Sequence, residues 1–120
     1  MKNILSISFF LLFAGFFSIL PAQGDAKKKV AEAEFAVKGN CGMCKERIEN
    51  AVSVKGVKAA YWDVETLTLK VIYKPSKVTP ERIKELVLEA GHDTEEVLAS
   101  EKAYDSLHAC CKYRENPTCE

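Results

Sequence analysis

The chain has no excess charge of either sign: 17 Lys and Arg balance 17 Asp and Glu. That removes the electrostatic argument for a nucleic-acid or anionic-membrane partner, which needs a basic patch or run. There is no Ser-His-Asp arrangement, no paired-carboxylate site and no phosphate-binding glycine loop, so the chain is expected not to be an enzyme. Internal repeats and low-complexity segments are also missing, and 120 residues allow one modest domain.

Long apolar runs are absent with one exception. Ile4 to Leu20 is interrupted only by Ser6, Ser8, Gly15 and Ser18, follows Lys2, and precedes the small-residue stretch Pro21-Ala22-Gln23-Gly24-Asp25-Ala26. The run is short for a membrane span, which needs about 20 residues. Its flanks fit a cleaved signal peptide over 1–22, with cleavage after Ala22 or Gly24. The expectation is an exported protein, periplasmic or extracellular, with no membrane span after cleavage; an uncleaved anchor is the rival. A flexible leader, 23–29, carries Lys27-Lys28-Lys29.

All five cysteines (Cys41, Cys44, Cys110, Cys111 and Cys119) lie beyond that segment. An oxidising compartment permits disulfides, and an odd number leaves at least one thiol unpaired or shared between chains.

Hydrophobic periodicity then orders the chain. Val30 to Lys38 alternates as a half-buried strand, and Gly39-Asn40 breaks it. Ile48, Ala51 and Val52 recur at helical spacing in a helix expected from Met43 to Lys55, with Gly56 just past its end. Strand patterns follow at Val57 to Val64 and Leu67 to Tyr73, joined around Glu65-Thr66. Thr79-Pro80-Glu81 is a helix start, a hydroxyl cap followed by proline and an acid, and the helix runs through Ile83, Leu86, Val87 and Ala90 to Gly91. A short last strand, Thr94 to Leu98, completes the order β-α-β-β-α-β. The expected fold class is α+β, a ferredoxin-like sandwich with two helices on one face of a four-stranded antiparallel sheet.

Cys41 and Cys44 sit in Gly39-Asn40-Cys41-Gly42-Met43-Cys44, where the first strand gives way to a helix. Two intervening residues let both sulfurs converge on one point, and the helix N-terminus favours thiolate over thiol. Gly42 is expected to let the loop bend tightly. Thiolates select Cu(I) or Zn(II) over magnesium or calcium, and the same argument extends to Hg(II).

A C-x-x-C on the first loop of such a chain resembles the heavy-metal-associated domain family, the fold of copper chaperones and periplasmic mercury-binding proteins. The resemblance covers Val30 to about Leu98, which sets the domain at 30–99 and leaves 100–120 as a C-terminal extension. It implies Cu(I) or Hg(II) held by Cys41 and Cys44 and passed by ligand exchange to a metal-transporting or metal-receiving protein, with a metal-bridged dimer possible in principle. Cu(I) transfer or sequestration is the favoured function. The family often carries a methionine two residues before the first cysteine, packed beneath the loop. Here Gly39 holds that position, and Met43 lies between the cysteines, where packing or exposure is favoured over a role as thioether ligand.

A thiol-disulfide oxidoreductase using the same pair is the enzymatic alternative. Against it, Met43 replaces the usual intervening proline and no tryptophan precedes Cys41. A structural Cys41–Cys44 disulfide would close little chain entropy.

Other candidates lie outside the loop. Gly91-His92-Asp93 should fall at the same end of the sheet as the cysteines, which makes His92 a neighbour of the metal, an occasional third ligand or a solvated turn residue. In the extension, His108, Cys110 and Cys111 place three soft donors within four residues. They are candidate additional ligands, to the first site or to a second one; a disulfide involving Cys119 is the alternative, since adjacent cysteines rarely pair with each other. The tail is long enough to return to the loop. Its polar end, with Pro117 and Cys119, is expected to be mobile. Tyr61-Trp62 reads as core or exposed aromatic patch, and Lys45, Arg47 and Lys55 as a docking surface or a solvated helix face.

Overall fold

The computed structural model describes residues 29–118; the expected signal segment 1–22 and Cys119 lie outside the described residues. Strand β1, Ala31–Ala36, exposes Glu32 and Glu34 and half-buries Ala31, Ala33 and Phe35, as the alternation requires. Strands β2, Val57–Asp63, and β3, Thr68–Tyr73, form a hairpin whose turn is fixed by Asp63, its Oδ1 accepting from the N–H groups of Glu65 and Thr66. The sheet is antiparallel with order β1-β3-β2.

Helices α1, Gly42–Ala51, and α2, Pro80–Glu89, share one core with that sheet: Ile48, Ile83 and Val87 are fully buried against Val37, Trp62, Leu69 and Val71. Thr79 caps α2, its Oγ1 accepting from the Arg82 N–H at 3.2 Å, with Pro80 at the first helical position. Helix α1 stops four residues short of the expected Lys55. Val52, Ser53 and Val54 are poor helix formers, and the chain turns there, with Ser53 N–H donating to Asn50 O and Val54 N–H to Val52 O. Gly56 therefore belongs to the turn into β2 rather than to the helix end. Its φ of +103° suits glycine, and a β-carbon there would lie 2.6 Å from Lys77 Cβ.

The fourth strand does not form. Thr94 makes a single antiparallel bridge to Val37, and the chain then turns, Thr94 N–H donating to Val97 O and Ala99 N–H to Asp93 Oδ1. Glu95 and Glu96 are exposed and poorly suited to a strand, and Val97 and Leu98 point to solvent instead of supplying the alternation. The sheet is three-stranded, with one bridge marking where an edge strand would begin.

Residues beyond 99 pack back onto the domain. Helix α3, Glu101–Asp105, is capped by Ser100 Oγ and is followed by a single 3-10 turn, Ala109–Cys111. Tyr104, Leu107, Cys111 and Tyr113 join the same buried cluster as Val37, Cys44 and Ile48. The Tyr113 hydroxyl accepts from Asp93 N–H at 2.8 Å and donates to Gly91 O at 2.9 Å. Arg114 grips both Asp93 oxygens, at 2.6 and 2.9 Å. The tail is thus anchored as far as Asn116, whose carbonyl accepts from Asn40 Nδ2 at 2.8 Å.

Candidate metal centre

Cys41 occupies the N-cap position of α1. Its extended backbone (φ −156°) sets its sulfur beside the N–H groups of the first turn, and Lys45 N–H donates to its carbonyl at 3.1 Å to begin the helix. Cys44 lies in that first turn and is wholly buried. Gly42 opens the helix with open space where a β-carbon would stand and no left-handed φ, so the expected need for glycine at this position is not met.

The tail completes what the loop begins. The sulfurs of Cys41, Cys44 and Cys111 all lie within 4.8 Å of one another, the only such donor cluster among the described residues. Cys41 Sγ is 3.9 Å from Cys44 Sγ and 3.7 Å from Cys110 Sγ, and Cys110 Sγ in turn lies 3.7 Å from Met43 Sδ. These are non-bonded separations, so none of these pairs is a disulfide. Asn40 links loop and tail: its Oδ1 accepts from the Cys44 thiol at 3.1 Å while its Nδ2 holds Asn116 O.

The sulfurs differ in acidity. Burial opposes ionisation of Cys41, yet the N–H groups of Cys44 and Met43 and the thiols of Cys110 and Cys44 outweigh it and bring its pKa down to about 7. Burial pushes Cys44 up, and burial with the adjoining Cys44 and Cys41 pushes Cys111 up further. Cys41 thus ionises before Cys44 and Cys111.

The spacing can be tested against a metal. With metal–thiolate bonds of about 2.3 Å, a linear two-sulfur site needs its sulfurs about 4.6 Å apart and a trigonal one about 4.0 Å. The 3.9 Å Cys41–Cys44 edge matches the trigonal value, and Cys111 supplies a third sulfur within 4.8 Å of both. This donor set is able to bind a soft metal ion.

His108 does not join the cluster. It precedes the 3-10 turn and lines a cavity of about 310 Å³ with Met43, Glu46, Arg47, Asn50 and Cys111. His92 does fall at the cysteine end, but as a buried group and not a solvated one. Its Nδ1 is 2.7 Å from Lys38 O, its ring stacks on Tyr113 at 5.5 Å, and its Nε2 is buried without a hydrogen-bond partner. Burial lowers its pKa, keeping it neutral. The basic residues of α1 are engaged internally: Lys45 bonds Glu49 and Trp62 O, and Arg47 bonds Ala90 O. Trp62 is core and Tyr61 is exposed.

Asn40, Asp93, Tyr113 and Arg114 are the residues that sequence reasoning passed over. Asn40 was readable only as a strand breaker, although its place next to Cys41 was a signal. The other three act through contacts made across the fold.

The heavy-metal-associated domain profile matches residues 34–93. The chain belongs to the heavy-metal-associated domain family. Its fold is similar to that of the CopZ metallochaperone, at 30% identity and a TM-score of 0.52 over 53% of this chain and 98% of that one. It is likewise similar to a copper-binding domain from HMA7, a P-type ATPase, at 32% identity and a TM-score of 0.51 over 58% of this chain and 96% of that one. Oxidised MerP from Ralstonia metallidurans shares the fold at 20% identity, with a TM-score of 0.52 over 55% of this chain and 94% of that one. No curated protein matches the chain. The matched family region ends at residue 93, before the tail that brings Cys110 and Cys111 to the loop.

Proposed function

We propose that this chain is an exported Cu(I)-binding protein that sequesters the ion or passes it to a metal-transporting partner. The observation that carries this reading is the convergence of the Cys41, Cys44 and Cys111 sulfurs within 4.8 Å. Three thiolates hold a soft ion through more bonds than the C-x-x-C pair alone, which weights the function toward retention. Cys111 supplies from within the chain the sulfur that a second copy would otherwise contribute, so a monomer suffices. Similarity to a metallochaperone and to a P-type ATPase domain supports copper as cargo and a metal transporter as partner. Hg(II) and Zn(II) are the competing ions. Metal binding displaces thiol protons, so affinity falls as pH drops.

The test is a Cu(I) titration of the reduced protein against a coloured chelator, in parallel with Hg(II) and Zn(II). Cys111→Ser should weaken Cu(I) retention by roughly tenfold or more, and the Cys41→Ser, Cys44→Ser double variant should abolish it. Unchanged uptake in the double variant would overturn the proposal. N-terminal sequencing of the secreted product tests export.

Thiol-disulfide exchange is the second reading, favoured by the lowered pKa of Cys41 beside Cys44. Reductase turnover that survives removal of all metal would establish it.

A further inference from the structure

Among the described residues two sulfurs remain once Cys41, Cys44 and Cys111 are assigned, and they are adjacent: Cys110 Sγ lies 3.7 Å from Met43 Sδ. We infer that Cys110, Met43 and Cys41 form a second, outer site for a soft monovalent cation, sharing the Cys41 sulfur with the inner one. The inference rests on reading the inner sulfurs as a metal site.

The geometry separates the two sites. Cys110 is not part of the mutually close trio, although its sulfur is 3.7 Å from that of Cys41. Cys110 and Cys111 follow one another on a 3-10 turn, where successive side chains point about 120° apart. Cys111 accordingly faces the core at 1% exposure, while Cys110 is half-buried at the surface. Met43, on the exposed side of the first turn of α1, is 46% exposed. Cys41 stands between the two sets, hydrogen-bonded to both Cys44 and Cys110.

The donor chemistry matches. Two of the three edges, Cys41–Cys110 and Cys110–Met43, measure 3.7 Å. Around a three-coordinate ion with bonds of about 2.3 Å, the ideal edge is about 4.0 Å, a small adjustment for a flexible methionine at the surface. A thioether is a neutral soft donor, so two thiolates and Met43 suit Cu(I) or Ag(I) and not a hard cation. A thiolate has lone pairs enough to bridge two such ions. Filling the outer site releases to solvent the Cys110 proton, and the Cys41 proton as well when the inner site is still empty, and changes no oxidation state. An ion arriving from solvent meets Cys110 and Met43 before it meets Cys44 or Cys111, which makes the outer site the point of entry and exit for the inner one.

The experiment is native mass spectrometry of the reduced protein titrated with Cu(I). Two ions per monomer are expected, with Cys110→Ser and Met43→Leu each retaining one. Met43→Leu changes an exposed side chain of nearly equal volume, so it reads the site even if Cys110→Ser disturbs the turn. Saturation of the unaltered protein at one ion overturns the outer site and leaves the inner one standing. Two ions persisting in the Cys110→Ser, Met43→Leu double variant, or a second ion found only in a dimer, overturn it equally. Absence of any bound ion in the unaltered protein overturns both readings.

Discussion

The indole of Trp62 occupies the space a side chain at Gly39 would need. A β-carbon on Gly39 would lie 2.9 Å from Trp62 Cζ2 and Cη2 and 3.1 Å from Cys44 Cβ. Trp62 is fully buried, and its Nε1–H donates to Val37 O at 3.0 Å, which holds the ring beneath the cysteine loop. The missing methionine of the M-x-C-x-x-C pattern is thereby explained. The underside of the loop is filled from β2, so residue 39 has to be small.

Restoring that methionine should therefore do harm. Gly39→Met is expected to cost about 1–3 kcal/mol through overpacking. Adding Trp62→Leu should return part of that loss by vacating the ring's space, so the double variant is more stable than the two single costs together imply. Urea unfolding of all four proteins measures the coupling, and strict additivity would contradict the packing account.

Cys41 should react ahead of Cys44 and Cys111 in the reduced, metal-free protein. With its pKa near 7, alkylation by iodoacetamide should reach half its limiting rate near that pH, while buried Cys44 and Cys111 react only at higher pH. Cys110→Ser exchanges a thiol for a hydroxyl in contact with Cys41 and should move that midpoint. Site-resolved mass spectrometry across pH checks both, and simultaneous labelling of Cys41 and Cys44 would refute the ordering.

Asp93 ties the tail to the domain, and its ionisation gives that tie a pH dependence. Burial opposes its charge, but Arg114 and the Ala99 N–H outweigh this and hold its pKa below the ordinary value. A carboxylate with a lower pKa folded than unfolded adds stability that is complete above the unfolded value of about 3.9 and is lost as pH falls through the folded one. Asp93→Asn should thus lower stability at pH 7 and flatten its decline in acid. Arg114→Ala, which leaves Asp93 without its partner, should cost about 2–3 kcal/mol, less than the 3–5 typical of a fully buried pair. Urea midpoints at pH 7 and pH 3 provide the comparison, and equal pH slopes for Asp93→Asn and the unaltered protein would rule the account out.

How far the sequence could be read depended on the range of the forces involved. Local signals were reliable: the Thr79-Pro80 helix start, the alternation in β1 and β3, and the place of Cys41 and Cys44 at a strand-to-helix junction are set by neighbours a few residues away. The early end of α1 was hidden because Val52 continues the apolar spacing while belonging to the turn that follows. The last strand is not legible because Val97 and Leu98 resemble a strand pattern, yet the hydrogen bonds of Asp93 and Thr94 bend the chain after a single bridge. Nothing local to Cys111 says that it faces Cys41 and Cys44. That depends on Tyr104, Leu107 and Tyr113 entering a core built by the first half of the chain.

The distance along the chain between these sulfurs has a thermodynamic meaning. An ion held by Cys41 and Cys44 alone closes a ring of a few residues and barely restricts the unfolded polymer. One that also takes Cys111 ties together points about 70 residues apart, and the loop-entropy relation used for covalent cross-links puts the stabilisation on the order of 4 kcal/mol. Loaded with such an ion, the chain would be stapled from its first helix to its last turn, and its melting temperature would report occupancy of the third sulfur.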